Sequence, residues 1–181
     1  KHNFKRFCFG DALKDVCSIL FGWQRHLLEG DTKDSRIFRE TEDKWWSNKL
    51  GFKITPRNAF QKIGTDVMRN HFNMDIWTLL IERKICEFQK KYKTQNIVIT
   101  DCRFQNEIQM VQSYGAKLIS VYRNLPEWFI PYQKGDTLTP PENIHISEYD
   151  WIKTEFDFEI MNERSYEELY EKVESYLKNN I

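Results

Sequence analysis

Asp101, Arg103 and Arg123 are the residues of this sequence best placed to do chemistry. Asp101 and Arg103 leave a compact β-branched run, Asn96-Ile-Val-Ile-Thr100, and Arg123 leaves the next apolar run, Lys117 to Tyr122. Ligands of open α/β sheets sit beyond the carboxyl ends of the strands. A guanidinium grips phosphate oxygens two at a time, and carboxylate oxygens hold hard cations directly or through water. One carboxylate and two guanidiniums at one edge therefore suit a phosphate and a magnesium ion; the same trio also suits a salt-bridge cluster closing a strand end. A second group, Arg57, Gln61 and Arg69, shares a helix without forming one narrow line, which ordinary solvated surface also explains. Gly64-Thr65 between them costs about 1 kcal/mol against alanine in mid-helix and so points to close packing or a ligand. His145, Ser147 and Glu148 have the residue types of a hydrolase but no G-x-S-x-G elbow, and they read as a loop histidine with polar neighbours.

The elements that must position these residues follow from periodicity. Phe4 to Phe9 reads as a short buried strand, after which Asp11 caps a helix with Leu13, Val16, Cys17 and Leu20 at helical spacing, stopped by Gly22. Glu29 to Lys49 is polar and reads as an exposed helical excursion anchored by Trp45-Trp46. Thr55-Pro56 starts a helix, with Thr as N-cap and Pro at the first helical position, and Phe60, Ile63, Val67 and His71 fall on one face of it while Arg57, Gln61, Gly64 and Arg69 lie elsewhere. A long amphipathic helix opens at Asp75 and buries Trp77, Leu80, Ile81, Ile85, Phe88 and Tyr92. The run from Asn96 to Thr100, a helix with Ile108, Val111 and Tyr114 inward, and the run from Lys117 to Tyr122 form a βαβ unit, hence a parallel pair. Gln133 to Asn143 is a loop, Phe156 to Met161 a last strand, and Ser165 with Glu168 a capping box for the final helix. The class is α/β.

Composition narrows the function. The 181 residues fit one domain and, at 40% hydrophobic and 30% charged, can bury a core. Twenty-seven basic residues balance twenty-seven acidic ones, which disfavours a protein that coats polymeric nucleic acid by bulk charge. No apolar run approaches the roughly 20 residues that span a bilayer, so no membrane partner is expected. The four cysteines (Cys8, Cys17, Cys86, Cys102) are scattered, without zinc-ligand spacing, and read as reduced thiols.

Taken together, the motifs resemble a known family. Thr55-Pro56-Arg57 with Gln61, Gly64-Thr65 and Arg69, followed by the Ile99-to-Glu107 run Ile-Thr-Asp-Cys-Arg-Phe-Gln-Asn-Glu, is similar to the deoxynucleoside monophosphate kinases of tailed phages and giant DNA viruses. Phe9-Gly10-Asp11-Ala12-Leu13-Lys14, Gly30-Asp31-Thr32 and Trp45-Trp46-Ser47 resemble segments of the giant-virus members, and the likeness runs from about Phe7 to Leu177. It implies a P-loop kinase-like three-layer sandwich, with a parallel sheet and a helical acceptor-binding lobe over residues 29–92. The activity implied is transfer of the γ-phosphate of ATP to a deoxynucleoside monophosphate, with Mg2+, in a cytoplasmic setting. By the same resemblance Asp101 acts on the magnesium or its waters, Arg103 clamps the acceptor phosphate, and Arg123 lies near the travelling phosphoryl group. Arg57 and Arg69 line the acceptor lobe, Gln61 touches the base, Asn106 or Glu107 reaches the sugar or base, and Asn162 lies near the donor adenine.

The family's G-x-x-x-x-G-K-[ST] phosphate loop does not occur among these residues; none of the seven glycines precedes a lysine. With Lys1 rather than Met as its opening residue, the chain is expected to lack an upstream central strand, phosphate loop and following helix, and to be inactive by itself. Two readings remain open: a kinase whose donor loop lies upstream, or a non-catalytic nucleotide-kinase-like scaffold that binds without turnover. A hydrolase built on His145 and Glu148 is a third. An exposed Trp45-Trp46 pair could serve a contact between two copies of the chain.

Overall fold

The computed structural model describes residues 2–93, 95–137 and 139–180. Lys1, with which the sequence opens, and Leu138, inside the expected loop, lie outside the described residues, as do Thr94 and Ile181. The chain divides into two compact units, Lys1–Cys102 and Arg103–Ile181.

In the first unit, β1 (Lys5–Phe7) runs parallel to β2 (Ile97–Ile99), with Lys5 opposite Ile97 and Phe7 opposite Ile99. β1 is shorter than its apolar flanks suggest. Lys5 and Arg6 are exposed, and the buried residues are Cys8 and Phe9 just beyond the strand. Helix α1 (Gly10–Phe21) follows and stops at Gly22, whose φ of 72° lies in the left-handed region that glycine adopts without steric cost. Asp11 lies inside the first turn of α1 rather than capping it.

The polar excursion resolves into a short 3-10 turn (Arg25–Leu28), α2 (Lys33–Glu40) and α3 (Lys44–Leu50). Thr32 and Ser35 form a reciprocal cap on α2, and the Asp43 side chain caps α3. These pieces cover a core of Cys17, Trp23, Leu28, Ile54 and Ala59. Phe21 stacks on Trp23 at 4.3 Å, and Trp46 meets Phe21 edge-on at 5.3 Å while donating its indole N–H to the Phe21 carbonyl. Trp45 stays exposed. Burial pushes the Cys17 thiol up to about 12, so it is a packing residue and not a nucleophile.

Thr55-Pro56 starts α4 (Pro56–Gln61) as expected, with Thr55 and Asn58 capping reciprocally. The helix then widens into a π-helix (Lys62–Phe72) before α5 (Ile76–Lys91). This widening splits the single face expected at a 3.6-residue period: Phe60 and Ile63 pack against the core, Val67 and His71 are exposed, and the buried residues are Ala59, Gly64 and Arg69, five apart. An i→i−5 ladder has more residues per turn than an α-helix, so a face drawn at a 3.6-residue period drifts out of register along it. Gly64 is needed for close approach, since a Cβ there would stand 2.6 Å from Leu13 Cδ2 on α1. Its carbonyl accepts the buried indole N–H of Trp77 at 2.9 Å. Trp77→Phe is therefore expected to cost about 2 kcal/mol of unfolding free energy, because it leaves a buried acceptor unmet. A urea-unfolding midpoint equal to wild type would remove that role from Trp77.

In the second unit, α6 (Gln105–Ser113) buries Ile108 and Val111, and β3 (Ile119–Tyr122) pairs in parallel with β4 (Phe158–Met161). The Asp157 carboxylate fixes this register by accepting from Leu118 N–H at 2.8 Å and from Lys117 Nζ at 2.9 Å. Helix α7 (Phe129–Lys134) occupies the start of the expected loop, and α8 (Tyr166–Asn180) lays Tyr176 on Phe158 at 4.7 Å. The second core is aromatic: Tyr122, Phe129, Tyr132 and Ile152 with Trp128 and Trp151 against them. Among the described residues β2 pairs with β1 and β3 with β4, where the sequence led us to expect β2 beside β3. Among the described residues the chain is α/β with two two-stranded parallel sheets, β1-β2 and β3-β4. Strand and helix order follow local sequence, but the pairing partner is chosen by packing far along the chain.

Candidate functional site

The candidate residues fall into two sets, one on each unit. In the first, Asp101 follows β2, and its carboxylate crosses to the end of β1 and accepts the backbone N–H groups of Phe9 and Gly10, both at 2.9 Å. These amides open α1, so Asp101 supplies the anionic cap that the helix start calls for. Gly10 permits the approach: a Cβ there would lie 3.2 Å from Asp101 Oδ2. Beside it, Thr100 Oγ1 bonds Cys8 Sγ at 3.1 Å and accepts from Arg6 Nε at 3.3 Å. An ionised carboxylate has about four lone-pair positions, and the two amides occupy two. Asp101 thus fits a magnesium ion that draws the rest of its shell from water and phosphates. Among the described residues no group of three or more His, Cys, Asp or Glu could enclose a metal by itself.

Past Asp101, α1 carries Asp11 and Lys14 into a charged network with Arg25 and Glu29. Lys14 Nζ lies 2.8 Å from Glu29 and 3.6 Å from Asp11, while Arg25 reaches Asp15 at 2.5 Å and also pairs with Glu29. Burial pushes the Glu29 carboxyl up, but the Lys14 and Arg25 hydrogen bonds outweigh it and hold the group below the usual glutamate range. A depressed folded-state value contributes stability that is present above the unfolded value of about 4.3 and lost as pH falls through the folded one. Glu29→Gln is therefore expected to flatten part of the acid-side fall in unfolding free energy below about pH 4.3. An unchanged acid slope in urea titrations would refute this.

The other first-unit candidates lie on the α4 and π-helix segment. Arg57 is half exposed and pairs through Nε with Glu40 of α2. Gln61 is half-buried at the junction of α4 with the π-helix. Arg69 is 4% exposed and donates to the Met74 carbonyl at 3.3 Å, so it is a buried residue that ties the π-helix to the turn before α5.

In the second unit, Glu107 is also buried, and its Oε2 accepts from the backbone N–H groups of Arg103 at 2.7 Å and Phe104 at 3.2 Å. The backbone of Arg103 is thereby locked while its guanidinium, half exposed, meets Glu148 Oε1 at 2.5 Å. Gln105 anchors the same turn through Asp150 and Thr154. Glu107 stands at the third position of α6, where a carboxylate that reaches back is a known helix-start signal. Nothing local in the sequence signals Glu148, 45 residues away. Asn106 is half-buried in the first turn of α6. Arg123 is exposed at the end of β3, just before Asn124 with φ 51°, and makes no ion pair among the described residues. Asn162 is half-buried after β4, with its backbone N–H on the Tyr122 carbonyl at 2.8 Å. The structure thus brings Asp101 to the start of α1 and Glu107 to Arg103, and leaves Arg123 and Arg57 on the surface.

The hydrolase constellation does not assemble in working order. His145 Nδ1 accepts the Ser147 backbone N–H at 3.2 Å and lies 2.8 Å from its Oγ, which caps a single 3-10 turn (Ile146–Glu148). Glu148 lies toward Ser147 and Arg103, not on the far side of the imidazole, where an orienting acid belongs.

Two small parallel sheets with helices beside them define an α/β protein. A family model for deoxynucleotide monophosphate kinases matches residues 24–173. A protein of Acanthamoeba polyphaga mimivirus named as a deoxynucleotide monophosphate kinase is 29% identical over 178 residues, covering 94% of this chain and 81% of that protein. The deoxynucleotide monophosphate kinase of Escherichia phage RB69 is 30% identical over 164 residues, covering 91% of this chain and 58% of its own length. That of Enterobacteria phage T4 is 26% identical over 147 residues, covering 81% and 51%. The chain thus spans little more than half the length of the two phage relatives. It belongs to the deoxynucleotide monophosphate kinase family. Among the described residues no helix is long and apolar enough to cross a membrane.

Proposed function

We propose that this chain is the acceptor-binding and catalytic part of an enzyme that moves the γ-phosphoryl group of ATP to a deoxynucleoside monophosphate, giving ADP and the diphosphate. The observation that carries the reading is the family match across residues 24–173, which includes every candidate arginine and Asp101. Phosphoryl transfer asks little covalent chemistry of a protein; it asks for in-line positioning and positive charge around the equatorial oxygens. Arg103, held at its backbone by Glu107, presents a fork to the acceptor phosphate, and Arg123 supplies a surface guanidinium for the travelling group. Arg57 and Arg69 belong to the acceptor lobe, Arg57 as a ligand and buried Arg69 as the residue that sets the π-helix. Gln61 and Asn106 face the nucleoside, and Asn162 the donor adenine. Asp101 would hold the magnesium or one of its waters; bound magnesium neutralises charge on the phosphates.

The donor phosphates find no cradle in these residues, because the sequence has no G-x-x-x-x-G-K-[ST]. The proposal therefore requires the donor loop to come from other residues of the encoded protein, and the 181 residues alone to be inactive. A non-catalytic scaffold remains the competing reading; retention of Arg57, Arg69, Asp101, Arg103 and Arg123 in the sequence favours an enzyme. Full-length protein incubated with ATP, magnesium and the four deoxynucleoside monophosphates should form a diphosphate from at least one of them. Binding of a monophosphate without any diphosphate would replace the kinase with the scaffold.

A further inference from the structure

The turn that carries His145, Ser147 and Glu148 makes no hydrolase, yet it is built firmly and stands beside Arg103, in the same unit. The His145 ring caps it through the Ser147 N–H. The Glu148 and Asp150 N–H groups close it on the carbonyls of His145 at 2.9 Å and Ile146 at 3.0 Å. Just beyond, Tyr149 meets the Tyr132 ring edge-on at 5.9 Å and Ile152 is fully buried, so the turn is rooted in the aromatic core. Gln105 then staples the segment to the start of α6. Its backbone N–H donates to Asp150 Oδ2 at 2.8 Å, and its Nε2 donates to the Asp150 carbonyl at 2.7 Å. Arg103 lies two residues before Gln105, with its own N–H on buried Glu107. Both ends of the Arg103–Glu148 contact therefore rest on fixed backbone.

Glu148 Oε1 meets Arg103 at Nη1, and among the described residues nothing else bonds that guanidinium. Ser147 Oγ lies 3.4 Å from the same carboxylate oxygen. A guanidinium presents two parallel N–H donors along its Nε–Nη2 edge, the fork that a phosphate takes bidentately. Glu148 uses the nitrogen outside that edge. The pair is 48% and 47% exposed, and a pair this open adds little to folding stability. What it does is hold a long, rotamer-rich side chain in one pose before any ligand arrives, which removes part of the ordering cost of binding. We infer that Glu148 is a positioning residue for the acceptor phosphate: it grips Arg103 by Nη1 and leaves the Nε–Nη2 edge set for a phosphate dianion. The inference rests on the kinase reading, in which Arg103 clamps that phosphate, and deepens it by naming the group that aims the clamp. A carboxylate that merely competed with the substrate would sit on the fork itself.

The test uses the full-length protein and the deoxynucleoside monophosphate that turns over fastest. Glu148→Ala should lower kcat/KM for that monophosphate about tenfold or more, with the KM for ATP and the urea-unfolding midpoint unchanged. Glu148→Gln keeps an oxygen at the same reach and should recover part of the loss. In an Arg103→Lys background Glu148→Ala should cost less than about threefold, because the two residues act through one guanidinium. A purely structural role would not produce that coupling. If wild type forms diphosphate and Glu148→Ala leaves kcat/KM unchanged or raises it, the positioning role is wrong and the kinase reading stands. A loss just as large in the Arg103→Lys background overturns the role equally. If no diphosphate forms, calorimetric titration of the monophosphates decides. Weaker binding to Glu148→Ala than to wild type keeps the positioning role and drops the kinase; equal binding, or none to either protein, drops both.

Discussion

Arg103→Lys is expected to lower turnover on the order of 100-fold or more in the full-length protein, with an unchanged unfolding transition. Two observations separate the side chain from the fold. Its backbone N–H is fixed by buried Glu107, a contact that does not depend on the side-chain type. Its guanidinium is half exposed, and its partner is the equally exposed Glu148, so losing that pair costs folding about 0–1 kcal/mol. Lysine keeps the charge but offers one point where arginine offers two parallel donors. A transition state that spreads charge over three oxygens responds to that difference more than the ground state does. Steady-state kinetics with saturating monophosphate would decide the matter. Turnover within threefold of wild type would take the acceptor clamp away from Arg103.

Asp101→Ala is expected to have the largest effect on stability, about 3 kcal/mol, because two charge-assisted hydrogen bonds are lost together. One of the orphaned amides belongs to Phe9, which is buried, so water does not readily replace the carboxylate there. The start of α1 also loses the negative charge that complements its dipole. Asp101→Asn separates the components. It keeps one acceptor but turns an N–H toward an amide that also donates, so about half of the loss should remain. Urea unfolding of both variants, read by tryptophan fluorescence, gives the order wild type, Asn, Ala. Equal stability of all three would mean that the β1 and β2 ends are joined by other contacts. If Asp101→Asn folds and is also inactive, the carboxylate serves both the cap and the reaction.

Several features needed only the sequence, because their causes are local. Gly22 as a left-handed stop, Thr55-Pro56 as a capped helix start and Ser165 before the last helix each depend on residues within one turn. The family could be recognised from the motifs between Thr55 and Glu107 because they combine rare residue types at fixed spacing. The α/β class followed from alternating apolar periods.

Tertiary structure decided the rest. The π-helix from Lys62 to Phe72 arises where Gly64 must touch Leu13 and receive the Trp77 indole, contacts that no local period encodes. A 3.6-residue count therefore put Val67 and His71 on the face of Phe60 and Ile63, whereas packing exposes Val67 and His71 and buries Arg69. β2 chose β1 and not β3, since strand pairing depends on which distant edge the core brings alongside. The carboxylate partners were equally out of reach: Glu40 lies 17 residues from Arg57 and Glu148 lies 45 residues from Arg103. The sequence by itself determined which residues carry charge. Only the fold decided which of them are spent on helix ends, which are buried, and which stand at the surface behind a carboxylate.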